Sequence, residues 1–275
     1  MDEKEITSVS NETVKKVVKL QQKKYRDAEK KFLLEGFKAI EEAIKSGIEV
    51  ETIFIEKSNN VMLNLVQHLI SERQCDPESS SGRREISLIL TTEPVLKKIS
   101  TTDSAPEAVA VARQKIFILD DIKSAKKIIL LENIKDLGNL GTILRTAKAF
   151  SQDAVVLFGD TVDLYNPKCV RSSVGNLWKL PVVQVKDFKT LQSAFGSFDK
   201  VATLPKAEGA RNLKDFNTGG VGTPPYIIMF GSEADGLSKE LINFAEKKVT
   251  IEMNSEVESL NLSVSVGIVL NALMR

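Results

Sequence analysis

The chain alternates short apolar runs with longer segments whose apolar residues recur at helical spacing. In its first part the pattern predicts helices over Glu12 to about Lys24, Phe37 to about Lys45 and Val61 to Ile70. It predicts strands over Phe32 to Leu34, Val50 to Ile55, Ile86 to Leu90 and Ala108 to Ala112. This alternation predicts a small α/β domain over residues 1–112.

After a segment at 113–124, interpreted as a linker, the alternation resumes and predicts a second domain over residues 125–275. A helix is predicted over 139–150, and strands over 128–131, 154–158, 182–185, 201–204, 226–230 and 249–251. Ile227, Ile228 and Met229 are consecutive apolar residues, as in a strand covered on both faces. The second domain is therefore predicted to be a parallel α/β sheet. The run Leu260–Val266 alternates perfectly and by itself predicts a strand.

Composition excludes several classes of chemistry. The two cysteines, Cys75 and Cys169, have no partners at metal or disulfide spacing, which indicates a reducing compartment. His68 is the only histidine, so neither a histidine-based triad nor a zinc site is predicted. No N-terminal apolar segment and no membrane-length apolar run is present. We expect a cytoplasmic protein without metal or membrane association.

Charge is balanced overall, at +1, but one segment is strongly basic. Between Lys15 and Lys31 lie eight Lys or Arg residues against Asp27 and Glu29. At helical spacing this segment forms either a solvated helix face or a phosphate-binding surface, and the sequence leaves both open.

The usual nucleotide-binding loops are missing. The glycine cluster at 219–223 lacks the last glycine of a dinucleotide loop and runs into prolines. Polar residues instead follow the apolar run Tyr226–Phe230, in the sequence FGSEADGLS. Gly231 permits a sharp turn or a close approach to a ligand. Glu233 either caps a helix that starts near Leu237 or reaches a ligand beyond the strand end.

Two further segments carry polar residues in the same manner, LLENIKDLGNLGTILRTAKAF at 130–150 and IEMNSEVESLNLSVSVGIVLNALMR at 251–275. Asn139 and Gly141 open the first helix, and Arg145 lies opposite its apolar face. Taken singly, the asparagine is an ordinary helix cap and the arginine an ordinary solvated residue.

Taken together, the three segments resemble the SpoU branch of the SPOUT RNA methyltransferases. The matches are N-x-G-x-x-x-R from Asn139, G-S-E-x-x-G-L-S from Gly231, and I-x-M followed by S-L-N-x-S-V up to Val264. KCVRSSVGNLWKLP at 168–181 is similar to the connecting segment of the family. FLLEG at 32–36 resembles the start of a small RNA-binding domain with a ribosomal-protein-like fold. Leu137 and Ala234 depart from residues that are frequent in the family.

The resemblance implies 2′-O-methylation of ribose in RNA, with S-adenosylmethionine as the methyl donor, by a homodimer with a deep C-terminal trefoil knot. It also implies that a helix, not a strand, begins near Asn261. The catalytic residues it implies are Asn139, Arg145, Glu233 and Asn261. The cofactor-binding residues it implies are Thr203, Leu204, Gly231, Ile251, Met253 and Leu260.

The N-terminal domain favours ribosomal RNA over transfer RNA as the substrate. A transfer RNA methyltransferase is the main alternative. A non-catalytic RNA-binding protein of the same fold is less favoured because Asn139, Arg145, Glu233 and Asn261 are all present. A nucleotide-dependent oxidoreductase is also less favoured, because the chain lacks the glycine-rich loop that would bind the cofactor.

Overall fold

The computed structural model describes residues 4–74, 85–205, 209–215, 225–254 and 256–273. Cys75, the polar loop at 75–84 and the glycine cluster at 219–223 lie outside the described residues. None of the helices in the described ranges has the length and apolar content needed to cross a bilayer.

The elements follow one another as strands and helices, in two groups along the chain. The first group is β1 (Lys4–Glu5), α1 (Glu12–Lys19), α2 (Lys23–Glu29), β2 (Lys31–Glu35), α3 (Phe37–Lys45), β3 (Val50–Glu56), α4 (Asn60–Gln74), β4 (Ser87–Thr91), α5 (Glu93–Ile99) and β5 (Ala108–Arg113). The second is β6 (Lys127–Glu132), α6 (Leu137–Ala149), β7 (Ala154–Phe158), α7 (Pro167–Ser173), β8 (Val182–Val185), α8 (Phe188–Phe195), β9 (Asp199–Thr203), β10 (Arg211–Asn212), β11 (Tyr226–Phe230), α9 (Lys239–Phe244), β12 (Lys247–Thr250) and α10 (Leu262–Leu273).

Two compact units divide the chain. The first contains the residues up to Lys115 together with Asp163–Trp178, and the second contains Ile116–Val162 and Lys179 onward. The division drawn from sequence assigns 163–178 to the C-terminal domain, whereas its contacts assign it to the first unit. Polar contacts explain the difference, because buried Arg26 binds Asp163 at 2.5 Å and buried Glu35 accepts from Arg171.

The first unit is built on a mixed sheet in the order β1-β4-β3-β5-β2. Strands β3 and β4 are parallel, whereas β5 runs antiparallel to both β2 and β3. Helices α1 and α5 cover one face with apolar residues such as Val14, Val17 and Val95. The predicted helix from Glu12 to Lys24 is interrupted, since α1 ends at Lys19 and α2 begins at Lys23.

The segment 163–178 contributes aromatic and sulfur side chains to the first unit. The ring of Phe32 packs 4.8 Å from that of Tyr165 and 6.3 Å from that of Trp178. Burial raises the pKa of the Cys169 thiol to about 12, so this thiol stays protonated at neutral pH. Cys169 is a packing residue.

The second unit contains a parallel sheet in the order β10-β12-β9-β11-β6-β7-β8. Its central strands are buried on both faces; all five residues of β11 and of β7 are buried. The parallel α/β architecture predicted from the continuous apolar runs is therefore confirmed. The carboxyl ends of parallel strands share one edge of a sheet, so β6, β9, β11 and β12 deliver the residues that follow them to the same edge.

The C-terminal segment is helical from Leu262. The apolar residues of this segment alternate with serines in sequence. On the helix, Leu262, Val266, Val269 and Leu270 are buried, and Ser263 and Ser265 lie between them and are partly exposed. The helix α10 packs against α6. The expectation of a helix from about Asn261 is correct, and the strand indicated by alternation alone is not formed.

Candidate active site at the carboxyl edge of the parallel sheet

A cavity of about 380 Å³ lies at the carboxyl ends of β9, β11 and β12. All six predicted cofactor-binding residues line it: Thr203, Leu204, Gly231, Ile251, Met253 and Leu260. The loop after β11 forms one wall, and the start of α10 contributes Leu262 and Ser265 to another. Glu258 and Ser259 also line the cavity but were not among the predicted site residues. Ser259 is the first residue of the S-L-N-x-S-V part of the third motif and Glu258 directly precedes it, and that position was the available signal.

The loop after β11 is a tight turn. The Gly236 amide donates to the Ser232 carbonyl oxygen at 3.0 Å, and the Asp235 amide donates to Ser232 Oγ at 3.1 Å. Gly236 has φ +67°, in the left-handed region that favours glycine. A Cβ on Gly231 would lie 1.9 Å from the carbonyl carbon of Gly236, so the turn folds back onto Gly231. Gly231 thus lines the cavity and is required by the turn itself.

Ser238, not Glu233, caps the helix that follows this turn. Ser238 Oγ accepts from the Leu241 amide at 3.3 Å at the start of α9. The Ser238 amide donates to Glu132 Oε2 at 2.7 Å, and Glu132 is buried at the end of β6. Glu132 therefore ties the end of the turn to the centre of the sheet. Sequence reasoning missed it, although it directly follows the predicted strand over 128–131 and is the last residue of the observed β6.

Three of the four predicted catalytic residues are joined by hydrogen bonds. The Asn139 side-chain amide donates to Glu233 Oε1, and Asn139 Oδ1 accepts from Asn261 Nδ2 at 2.9 Å. Glu233 also lines the cavity, so the hydrogen-bonded group meets the cavity at this carboxylate. The reading of Glu233 as a helix cap is wrong, because its carboxylate binds Asn139.

Arg145 is separate from this hydrogen-bonded group. It lies on α6 between the buried residues Leu144 and Ala147 and is itself exposed. Within the described part of the chain its guanidinium has no hydrogen-bond or ion-pair partner. An exposed, unpaired guanidinium can bind a phosphate in its planar fork geometry.

The strand-end loops that carry the cavity wall are held by polar contacts. Thr203 Oγ1 donates to the Met229 carbonyl oxygen at 2.9 Å, which ties β9 to β11. Glu252, between Ile251 and Met253, accepts from Lys214 Nζ at 2.7 Å. That hydrogen bond and the charge of Glu252 raise the pKa of Lys214. Among the described residues, no three His, Cys, Asp or Glu side chains cluster as a metal site would need.

The chain therefore has a mixed α/β unit and a parallel α/β unit, and the second carries a candidate ligand site at the carboxyl edge of its sheet. Residues 126–271 match the SpoU rRNA Methylase family, and residues 11–110 match the MRM3-like substrate binding domain. The chain belongs to the SpoU rRNA methylase family. The family inferred from the three motifs, and with it the RNA methyltransferase class, is confirmed.

Two relatives and one solved structure match over nearly their whole length. An uncharacterised tRNA/rRNA methyltransferase of Synechocystis is 31% identical, over 96% of this chain and 91% of the relative. The 23S rRNA (guanosine(2553)-2′-O)-methyltransferase RlmP of Bacillus subtilis is 28% identical, over 96% of this chain and 97% of its own. The crystal structure of an AdoMet-bound rRNA methyltransferase from Sinorhizobium meliloti superposes with a TM-score of 0.83 at 26% identity, over 98% of this chain and 97% of that one.

Proposed function

We propose that this protein transfers the methyl group of S-adenosylmethionine to the 2′-hydroxyl of a ribose in ribosomal RNA. The observation that carries the proposal is the placement of Asn139, Glu233 and Asn261 in one hydrogen-bonded group, with Glu233 on a cavity that the six predicted cofactor residues line. Family membership and the activities for which relatives such as RlmP are named support the same reaction.

The cavity suits S-adenosylmethionine. Its volume, about 380 Å³, falls within the range of small-molecule sites, roughly 300 to 1,000 Å³. Leu204, Ile251, Met253 and Leu260 offer apolar walls for flat or aliphatic groups, and the turn from Gly231 to Gly236 offers backbone polar groups. When bound, S-adenosylmethionine supplies a methyl group already activated as a sulfonium, so the protein has mainly to position the nucleophile.

In this mechanism Arg145 prepares the nucleophile. Its exposed guanidinium binds a phosphate next to the target ribose and places a positive charge near the 2′-hydroxyl, which favours the deprotonated form. A guanidinium carries donors and no acceptor, so Arg145 acts by positioning and charge, and the hydroxyl proton leaves to solvent water. Asn139 holds Glu233 at the rim of the cavity, and Asn261 fixes the orientation of Asn139.

The proposal includes a homodimer and a trefoil knot. Val264 and Ile268 are exposed apolar residues one turn apart on α10, which supports burial of this face against a second copy. Sedimentation equilibrium should give a dimer for the wild type, and a monomeric wild type would contradict the proposed homodimer.

The trefoil knot is supported by the packing of α10 against α6 and by the position of α10 at the cavity. A crystal structure in which the backbone is traced continuously through 250–273 would test it.

The remaining parts of the proposal concern substrate and location. The match of residues 11–110 to a substrate-binding domain, together with relatives that methylate 23S rRNA, favours ribosomal over transfer RNA. The same relatives and the reduced, buried Cys169 support action in the cytoplasm, which fractionation of cells would test.

The decisive experiment maps ribose methylation across total RNA from cells with and without the gene. One ribosomal site that loses its 2′-O-methyl group, and regains it with the wild type, is the expected result. A lost site in transfer RNA would move the substrate to the alternative. Calorimetry should show binding of S-adenosylmethionine, and a folded protein without such binding and without a lost site would favour a non-catalytic RNA-binding protein.

A further inference from the structure

The basic segment of the first unit divides into paired and unpaired cations. Lys15 binds Glu12, Arg26 binds Asp163 and Lys31 binds Glu51. The other five of the eight are exposed and form no ion pair within the described residues: Lys16, Lys19, Lys23, Lys24 and Lys30. A solvated face of a helical protein usually mixes both signs, so this concentration of unpaired positive charge distinguishes the surface.

An aromatic ring lies among these cations. Lys19 Nζ is 5.6 Å and Lys24 Nζ is 5.9 Å from the centroid of the half-buried Tyr25 ring. We call Lys19, Lys23, Lys24 and Tyr25 the Tyr25 surface. Both ammonium groups lie over the ring, so they swing from it onto phosphates when a base stacks there. A ring with neighbouring cations is the combination used by proteins that bind single-stranded nucleic acid.

The backbone beneath this surface is fixed. Val14 and Val17 anchor α1 in the core of the unit. Arg26, which is fully buried, donates to the carbonyl oxygens of Leu20 at 2.8 Å and Gln21 at 2.7 Å. These bonds hold the turn between α1 and α2, so Lys19 on one helix and Tyr25 on the other keep their relative position without a ligand. A surface held in this way loses little conformational entropy when it binds.

The acidic residues near the Tyr25 surface do not neutralise its positive charge. Asp27 and Glu29 are exposed further along α2, and within the described structure neither forms an ion pair with a lysine of this surface. Glu12 is engaged by Lys15, and that contact, together with the charges of Lys16 and Lys19, lowers the pKa of Glu12. Charge complementarity therefore favours a polyanion as the partner.

We propose that the Tyr25 surface binds a single-stranded stretch of the RNA substrate, with an unpaired base stacked on Tyr25 and neighbouring phosphates on Lys19, Lys23 and Lys24. The proposal deepens the proposed function and rests on it for the choice of RNA. It assigns to α1 and α2 the recognition of unpaired RNA, separately from the cavity in the second unit.

The test measures binding of the full-length protein to an oligouridylate and to a blunt RNA duplex of the same length, across a series of salt concentrations. Tyr25→Ala should weaken oligouridylate binding on the order of tenfold, the scale of one lost stacking contact. Tyr25→Phe should bind as the wild type does, and the duplex should bind Tyr25→Ala and wild type alike.

Lysine variants test the phosphate contacts independently. Because Lys19 and Lys24 are exposed, we expect their substitution to leave the fold intact. Lys19→Ala and Lys24→Ala should each reduce the salt slope of oligouridylate binding by about 0.7, the value for one single-strand phosphate contact. Lys15→Ala is the matched control, because it removes the same charge from the same helix but Lys15 is already paired with Glu12. Its slope should stay close to that of the wild type.

Three results would overturn the proposal. One is an unchanged oligouridylate affinity in a folded Tyr25→Ala variant. Another is an equal slope change for Lys15→Ala and Lys19→Ala, which would indicate diffuse attraction. The third is tight binding to vesicles containing phosphatidylserine with none to RNA, which would assign the surface to a membrane. Calorimetry with S-adenosylmethionine on the same variants separates these results from a failure of the proposed function, since cofactor affinity should not change.

Discussion

Asn261 Nδ2 donates to Asn139 Oδ1 at 2.9 Å, and this bond fixes the direction of every hydrogen bond around it. The carboxylate of Glu233 can only accept, so the NH2 group of Asn139 must face it and Oδ1 must face Asn261. Asn261 then presents its own Oδ1 to the backbone amide of Ser263, at 2.9 Å, and so caps α10. The first turn of α10 is thereby coupled to the polar group at the cavity rim.

Substitutions at Asn261 separate its two contacts. Asn261→Asp keeps a good helix cap but replaces the donor to Asn139 with a second acceptor. Its stability should remain near that of the wild type, while single-turnover methyl transfer should fall about tenfold or more. Asn261→Ala should lose transfer and also about 1 kcal/mol of stability, because the cap is lost as well. Transfer at the wild-type rate in Asn261→Asp would contradict the role given to this bond.

Glu132 should act as a positioning residue for the turn after β11. Glu132→Ala leaves the partly buried Ser238 amide without its acceptor, which should cost about 1 kcal/mol, the lower end of the range for an unsatisfied donor. Because the turn lines the cavity, affinity for S-adenosylmethionine should fall together with stability. Glu132→Gln retains an acceptor oxygen and should recover part of both. Calorimetry and thermal unfolding measure the two effects, and a cofactor affinity unaffected by Glu132→Ala would show that the turn is held by other contacts.

Gly231 should tolerate no side chain. Even Gly231→Ala places a Cβ 1.9 Å from the Gly236 carbonyl carbon, so the turn must move and cofactor affinity should be lost. The sequence alone predicts that Gly231→Val blocks cofactor binding, because the side chain would occupy the space of the cofactor. The structure adds a second cause, since the side chain would also collide with the turn. Gly267→Ala is the control, since a Cβ there meets only Thr146 Cγ2 at 3.8 Å and alanine favours a helix. Calorimetry that finds the affinity of Gly231→Ala unchanged would remove this glycine from the site.

Arg145 should be required for transfer but not for cofactor binding. Arg145→Ala should lower single-turnover transfer at saturating RNA by roughly a hundredfold or more, the scale of one lost catalytic donor. Arg145→Lys should also fail, because an ammonium group does not reproduce the fork geometry of a guanidinium. Lys148→Ala removes a charge from the same helix and should be nearly neutral. If Arg145→Ala turns over at the wild-type rate, Arg145 is an ordinary exposed residue and the mechanism above is wrong.

Local sequence patterns predicted those helices and strands whose hydrophobic pattern is contained within a few neighbouring residues. The apolar run at Tyr226–Phe230 predicted β11 to the residue, and helical spacing gave α3 its observed bounds. Helix α5 was missed although Val95, Leu96 and Ile99 follow a proline near its start. The break between α1 and α2 was missed because the turn depends on Arg26, whose burial is a property of the folded unit.

Other features depend on contacts between residues far apart in the chain. The motifs brought Asn139, Glu233 and Asn261 to notice, but the direction of their hydrogen bonds required coordinates. The close approach of Gly231 to Gly236 was likewise not predictable, because the sequence FGSEADGLS shows only that two glycines are present. The role of Glu132 depends on Ser238, which lies 106 residues further along the chain.

The packing of residues 163–178 in the first unit sets the time at which that unit can fold during synthesis. Arg26 and Glu35 meet Asp163 and Arg171 only after 137 and 136 further residues have been made. At about 5–20 residues per second, translation takes several seconds more after Lys115 before these partners exist. Until then a buried arginine lacks its counterion, at a cost of about 3–5 kcal/mol. We expect the nascent first unit to remain sensitive to protease until this segment has left the ribosome, which pulse proteolysis of stalled chains can measure.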